Sequence, residues 1–300
     1  MKRHFLFLLG MLFWAASAFS QDLTQNYYSY INNLYNINPA YCAIGHKLAG
    51  VMDVRQKTGW NETNAMVGIS GQLNANQGLG ARLNSDLRGP FQTFIMDATY
   101  GYKVDIAEGR ALYLGLSAGL INRSLNTSKI KNYNDLDPND PTLNVTNYKS
   151  TAFTAGAGLV YEHKSFELAI SAPQLVAGNQ RSFNYITVMA ANIFYLSDKF
   201  ELIPMLFYFN TPVVKNLGVL QLKAEYHRKF WGQIGFQTNS IFNACVGYNV
   251  GDLGFAYNYM TSNKLTNVQT SGTHEVILTL KVGKKYRNRH MAPKNDEHIE

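Results

Sequence analysis

From Arg110 to Ile121 the chain reads RALYLGLSAGLI, with Leu112, Leu114, Leu116, Ala118 and Leu120 on every second position and Tyr113, Gly115, Ser117 and Gly119 between them. A β-strand turns successive side chains to opposite faces, so a two-residue period with one apolar face specifies a strand and fits no helical spacing. The same period recurs in LQLKAEYH (220–227), IFNACVGYNV (241–250) and HEVILTLKVG (274–283). Fourteen such runs are read between residues 46 and 284. Two of them, FNYITVMAANIFYL (183–196) and KFELIPMLFY (199–208), are apolar on both faces, and Pro204 disturbs the second.

The links between runs decide which kind of β protein this is. Even-numbered links are short, at NAN, DIAEG, HK, SD, RK and GD, whereas 124–149, 173–182, 209–216 and 262–270 among the odd-numbered ones are long. A soluble sandwich has no reason to alternate in this way. A transmembrane barrel does, because its periplasmic turns are short and its outer loops long. The expected fold is therefore all-β, a transmembrane antiparallel up-and-down β-barrel of about fourteen strands over residues 46–284, with both termini periplasmic. Composition agrees: only 16% of residues are charged and 13% are aromatic, against ~25% charged in soluble domains. With Leu, Val and aromatic residues facing lipid, Asp53, Arg55, Arg82, Asp97, Lys103, Glu162, Glu167, Lys223, Glu225 and Lys281 face inward as mixed-sign cross-struts. Gly115, Gly119, Gly156 and Gly158 also face inward and leave room for a plug.

The first twenty residues, MKRHFLFLLGMLFWAASAFS, have a basic start, an apolar core and a small-x-small ending, which is the pattern of a cleaved signal peptide. Residues 21–45 are read as an N-terminal periplasmic cap segment carrying Asn38-Pro39-Ala40-Tyr41. Pro39 fixes φ and biases Asn38 to extended backbone, and Tyr41 is suited to anchor at the membrane interface. Residues 285–300 form a polar, basic periplasmic tail following Lys284. That tail and the leader account for much of the +7 net charge, so the basic balance does not argue for nucleic acid. Cys42 and Cys245 are the only cysteines, which excludes a disulfide framework and leaves one bridge open.

Catalytic patterns are weak throughout. Gly78, Gly80 and Gly89 do not make a dinucleotide fingerprint. His163, His227 and His274 fall in turns or at strand ends with no nucleophile placed beside them. No His/Cys pair has zinc spacing, and NDLDPNDP (134–141) lacks the glycine and terminal glutamate of a calcium loop. No cofactor, metal or enzymatic activity is expected. Two other readings stay in view: a porin or fatty-acid-type transport barrel, which an open conducting lumen would favour, and an outer-membrane hydrolase, which would need a Ser/His pair at the rim.

A polar Tyr/Asn lead-in from Gln25 to Tyr41, the NPAY motif, and Arg55-Gln56-Lys57-Thr58-Gly59-Trp60 at the end of the first strand resemble the PorP/SprF family of Bacteroidetes outer-membrane proteins. So do GLGARLNSDLRGP (78–90), the pairs Asp137-Pro138 and Asp140-Pro141, ELAISAPQL (167–175) and THEVILTLKVG (273–283). Where that family favours Ala-Gly after NPAY, this chain has Cys42-Ala43. The resemblance implies a component of the type IX secretion and gliding-motility machinery, binding secreted adhesin cargo and periplasmic or peptidoglycan-linked subunits. Partner contacts are expected at Asn38, Pro39 and Tyr41, at Asp137, Pro138, Asp140 and Pro141 in an extracellular loop, and at Lys284, Lys285, Arg287 and Arg289 in the tail.

Overall fold

The structure, a computed structural model, describes residues 33–58, 62–126, 129, 149–177, 180–181, 185–210, 216–261 and 272–283. Fourteen antiparallel strands close into a barrel. In chain order they are β1 (Leu48–Lys57), β2 (Glu62–Gln72), β3 (Gln77–Arg88), β4 (Phe91–Ala107), β5 (Arg110–Leu125), β6 (Lys149–His163) and β7 (Phe166–Ala177). They continue with β8 (Ile186–Asn192, extended by Phe194–Ser197), β9 (Phe200–Asn210), β10 (Leu217–Tyr226), β11 (Phe230–Gln237), β12 (Ile241–Val250), β13 (Leu253–Met260) and β14 (Thr273–Val282). Each strand pairs with its sequence neighbours, and β1 closes on β14 with Leu48 opposite Val282 and Lys57 opposite Thr273. Closure leaves no unpaired edge, which a sheet needs if it is to sit in hydrocarbon.

The faces follow the sequence period. On β5, Leu114, Leu116 and Leu120 are exposed outward while Ala111, Tyr113 and Ser117 are buried inward. On β12, Phe242, Val246, Tyr248 and Val250 point out, and Asn243 and Cys245 point in. The expected inward charges Asp53, Arg55, Arg82, Lys103, Glu162, Glu167 and Lys223 are all buried in the lumen.

One irregularity has a covalent cause. β8 breaks at Ile193 where it runs beside Pro204 of β9, between the pairs Phe194–Leu202 and Ala191–Met205. Proline brings no N–H to a ladder. The amide of Ile193 turns to the other side and donates to the Ser165 carbonyl at 3.2 Å. A second irregularity lies in β7, where Pro173, Gln174 and Leu175 bulge opposite Gly156 of β6. A Cβ at Gly156 would lie 2.5 Å from the Pro173 carbonyl oxygen, so glycine is required for this bulge to turn inward.

Candidate functional site

The segment before β1 lies inside the barrel. One helical turn, α1 (Leu34–Ile37), and a 3₁₀ turn (Pro39–Ala43) form a plug whose residues Tyr35, Ile37, Ala40, Tyr41, Cys42 and Ala43 are buried. Asn38 joins the two turns in extended backbone, with φ −145° and ψ 118°, the shape a residue before proline prefers. Its side chain caps the 3₁₀ turn, as Oδ1 accepts from the Ala40 amide at 2.9 Å. The Nδ2 group donates to the carbonyls of Leu159 and Ile170, each at 3.2 Å. The asparagine thus organises the plug and holds it to the wall at β6 and β7.

The wall in turn grips the plug by its backbone. Arg82 donates to the carbonyls of Tyr35 and Asn36 at 2.9 and 2.8 Å. The Ser171 hydroxyl donates to the Ile37 carbonyl at 2.7 Å, and Gln72 Nε2 to the Ala43 carbonyl at 2.8 Å. These bonds satisfy main-chain acceptors that two short turns cannot satisfy themselves. Side chains add to the hold: the Tyr35 hydroxyl donates to Thr99 Oγ1 at 2.9 Å, and the Tyr41 hydroxyl donates to the Glu167 carboxylate.

Glycines make the approach possible. A Cβ at Gly115 would overlap the backbone of Pro39 and Ala40, and one at Gly158 would overlap the Asn38 side chain. Gly78 and Gly101 of β3 and β4 give way to Cys42 and Ala43 in the same manner. Close backbone contact at the Cys42-Ala43 position is therefore supplied by glycines of the wall, and the plug needs none there. Two of the four inward glycines singled out from the sequence, Gly115 and Gly158, receive the plug. Gly119 abuts Asp97, and Gly156 accommodates the β7 bulge.

The plug also explains the strands that are apolar on both faces. Met189 of β8 and Met205, Phe207 and Phe209 of β9 point inward and are buried in one cluster with Ile37, Tyr41 and Cys42. Their other faces meet lipid. Each inward apolar side chain so covered contributes about 1.5–3 kcal/mol relative to exposure, with a reduction for compactness of the unfolded chain.

The rest of the lumen is polar. From β11 to β3 the inward positions Gln233, Cys245, Asn258, Glu275, Arg55, Asn64 and Asp86 stand opposite one another in consecutive register. Asn258 donates to Glu275 at 2.6 Å, Arg55 Nε to Asn64 at 3.0 Å, and Asn64 to Asp86 at 2.7 Å. Arg55 and Arg88 both pair with Glu62, at 3.2 and 3.4 Å. Of the mixed-sign struts expected from the sequence, Arg55 pairs with Glu62, Arg82 with Asp97, Lys103 with Asp105 and Lys223 with Glu225. Below them, toward the end bearing the short turns, a chamber of about 190 Å³ opens between the plug and strands β7 to β14.

Residues 33–45 of the segment expected as a cap at the periplasmic mouth form a plug within the lumen, and Tyr41 is not an interfacial anchor. Its hydroxyl is used up by Glu167, and its ring is only 8% exposed. Asp137, Pro138, Asp140 and Pro141, and Lys284, Lys285, Arg287 and Arg289, lie outside the described residues. Sequence reasoning did not single out Arg82, Ser171 and Gln72 as plug contacts. Cys42 and Cys245 are both free and buried, so no bridge joins them.

Burial pushes the Cys42 thiol up to about 12 from its ordinary value of 9.0. At pH 8 the docked thiol stays protonated, and labelling by a maleimide, which needs the thiolate, is expected to be slow. In a Cys245→Ser background, Asn38→Ala removes three hydrogen bonds, each worth ~1 kcal/mol, and should raise the labelling rate of Cys42 by roughly tenfold or more. As pH rises past 9.0, the released segment ionises before the docked one, so docking weakens with increasing pH. Equal labelling of the two forms would mean that Asn38 does not hold the plug.

A closed fourteen-stranded barrel with an apolar exterior and its own N-terminal segment lodged in a bonded polar lumen defines an outer-membrane β-barrel protein. The chain belongs to the PorP/SprF family of type IX secretion system membrane proteins, whose profile matches residues 18–280. Among solved structures it is similar to the monoaromatic hydrocarbon channel CymD, with a TM-score of 0.50 at 12% identity over 91% of this chain and 96% of that one. A deltaS2S3 mutant of the monoaromatic hydrocarbon channel TodX gives 0.50 at 8% identity over 87% and 95%. The outer membrane protein Omp33 of Acinetobacter baumannii gives 0.49 at 7% identity over 80% and 100%. These likenesses concern the fold alone. No curated protein matches the chain.

Proposed function

We propose that this barrel is a binding and assembly component of the type IX secretion and gliding machinery, engaging secreted adhesin cargo or periplasmic subunits and catalysing no reaction. The observation that carries this reading is the plug. A segment bonded to the wall at Arg82, Gln72 and Ser171 and seated on glycines is built to stay, which suits a scaffold better than an open pore. The short turns are assigned to the periplasmic side and the long links to the outside, by the usual asymmetry of such barrels. Both termini then face the periplasm, where the machinery's soluble and peptidoglycan-linked parts reside. The tail KKYRNRHMAPKNDEHIE (284–300) is basic in its first half, a composition suited to acidic protein surfaces.

Deleting residues 286–300 removes none of the described strands, so the heat-modifiable migration of the folded barrel on gels should be unchanged. Export of the dependent cargo, or capture of periplasmic partners from the native membrane, is expected to fall. If both are retained in the truncated form, the tail has no part in assembly and the contact surface must be sought among the turns.

A further inference from the structure

The three short turns that join β6 to β7, β8 to β9 and β10 to β11 stand side by side along one arc of the barrel mouth. Their residues Lys164, Lys199, His227, Arg228 and Lys229 are all exposed, and Asp198 is the one exposed acid among them. Arg228 is matched by Glu201 at 3.4 Å. Lys164, Lys199 and Lys229 have no ion-pair partner among the described residues. Set against Asp198, the three lysines leave a surplus of positive charge on the arc. Glu162 and Glu167 of the flanking strands lie behind the wall, buried in the lumen, where they accept from Tyr113 and Tyr41. The next turn, Gly251-Asp252, brings an acid that Lys281 answers across the ladder, its amide donating to the Asp252 carbonyl at 2.8 Å.

The backbone shows that these side chains are retained against strain. Lys164 is the first central residue of the turn between His163 and Phe166 and has φ 55°. His227 and Arg228, with φ 51° and 54°, are both central residues of a turn closed by the Lys229 amide donating to the Tyr226 carbonyl at 3.0 Å. Positive φ suits glycine, because a Cβ there crowds the following carbonyl, and tight hairpin turns favour Asn-Gly or Gly at such positions. Two other short turns meet that demand with Gly109 at φ 68° and Gly251 at φ 56°. On the arc, lysine, histidine and arginine hold the left-handed positions instead. Strain kept where glycine would relieve it points to a use for the side chains.

Depth selects the partner. The turns are only two or three residues long, so the lysines are held against a belt of outward aromatic rings. Phe166 follows Lys164 by two positions, while Tyr226 and Phe230 bracket the third turn, and all three rings are exposed. The Tyr226 and His227 rings meet edge-on at 4.4 Å, and Phe230 packs on Tyr248 at 4.5 Å. Aromatic rings settle at the boundary between hydrocarbon and water. Long basic side chains beside them reach the headgroup layer with their stems on apolar surface. A soluble partner would be met by charges raised clear of the membrane, whereas these lie at its surface.

We infer that this arc binds the phosphate groups of anionic phospholipid, with Lys164, Lys199 and Lys229 as counter-ions and the aromatic belt packed on the upper acyl region. Ammonium–phosphate contacts are charge-assisted, and each basic group beside an anionic lipid surface adds to the attraction. Phosphatidylglycerol fits this chemistry. Phosphatidylcholine carries the same phosphate but brings its own ammonium group to neutralise it. With the short turns in the periplasm, as proposed above, the lipid belongs to the inner leaflet. The binding itself is independent of that topology and of the assembly reading, because a bilayer of uniform composition offers the same lipid to both ends of the barrel.

The test places the full-length barrel in nanodiscs of phosphatidylcholine with a minor share of phosphatidylglycerol, and native mass spectrometry identifies the lipids retained on release. Phosphatidylglycerol should be enriched among them, and Lys164→Gln/Lys199→Gln/Lys229→Gln should weaken its retention about fivefold for each lysine removed. Lys164→Gly separates backbone from charge. In pure phosphatidylcholine its urea midpoint should lie above the parent's, while phosphatidylglycerol retention falls about fivefold. Soluble polyglutamate and inorganic phosphate should leave the retained lipid in place. Displacement by polyglutamate would assign the arc to acidic protein, displacement by phosphate would assign it to free anions, and either overturns the inference. So does equal retention of the two lipids, a Lys164→Gly midpoint no higher than the parent's, or a triple variant, shown to be folded by heat-modifiable migration, that retains phosphatidylglycerol like the parent.

Discussion

Replacing Arg82 with methionine is expected to destabilise the barrel by roughly 3–5 kcal/mol and to release the plug. Arg82 donates in parallel to both oxygens of Asp97, at 2.9 and 3.0 Å, with side chains only 4% and 7% exposed. Its remaining N–H groups hold the carbonyls of Tyr35 and Asn36, and the guanidinium lies 5.2 Å from the Tyr35 ring centroid. Methionine keeps much of the stem volume but leaves Asp97 as a buried charge without its partner, and most of the expected cost lies there. Lysine cannot stand in, because a single ammonium lacks the planar fork that serves a carboxylate and two carbonyls together.

The double substitution Arg82→Met/Asp97→Leu separates the two roles. It removes the orphaned charge, so the urea midpoint of the detergent-folded barrel should recover much of the loss. The plug carbonyls would still lack donors, so maleimide labelling of Cys42 should stay high. A single substitution that shifts neither the midpoint nor the labelling would show that Arg82 supports neither wall nor plug.

The parts legible in the sequence and the parts that were not differ in range. Strand faces depend on neighbouring residues alone, and β5, β10, β12 and β14 turn the predicted sides to the exterior and to the lumen. Link lengths are equally local, and their alternation of short and long pointed to a barrel. The plug depends on contacts far apart in sequence: Tyr41 meets Glu167 across 126 residues, and Ile37 meets Ser171 across 134. An Asn-Pro turn signal carries no information on depth. Tyr41 therefore suits an interfacial anchor and a lumen hydrogen-bond donor equally well.

Two signals did point to the plug. Inward glycines at 115 and 158 made space that no neighbouring strand needed, and β8 and β9 were apolar on the face that should have been wet. A lumen-facing Phe207 or Phe209 makes sense only if something dry covers it. Taken together, these two features marked an occupied lumen. Neither indicated which segment fills it, since the partner of an apolar patch is not written in the patch.

The exterior gives the second large effect, and it should depend on depth. Leu116 is the middle residue of the outward run Leu112 to Leu120 and is 64% exposed, so Leu116→Arg places a guanidinium near the bilayer midplane. The expected cost is about 2–4 kcal/mol, enough to prevent most chains from inserting. Val250 also faces outward and is 52% exposed, but it ends β12 beside a short turn, where arginine can reach the headgroups. Val250→Arg should cost about 0–1 kcal/mol. Ser117→Arg, on the lumen side of β5, should fail for a different reason. Ser117 is buried beside Gly156, and overpacking costs roughly 1–3 kcal/mol even where charge is tolerated. Refolding into phosphatidylcholine vesicles, read as the heat-modifiable fraction, should rank Val250→Arg above Ser117→Arg and Ser117→Arg above Leu116→Arg. Because the Leu116 and Val250 substitutions introduce the same residue on the same face, only depth in the bilayer separates them. Equal insertion of those two would mean that the apolar exterior of this barrel is not what meets the hydrocarbon.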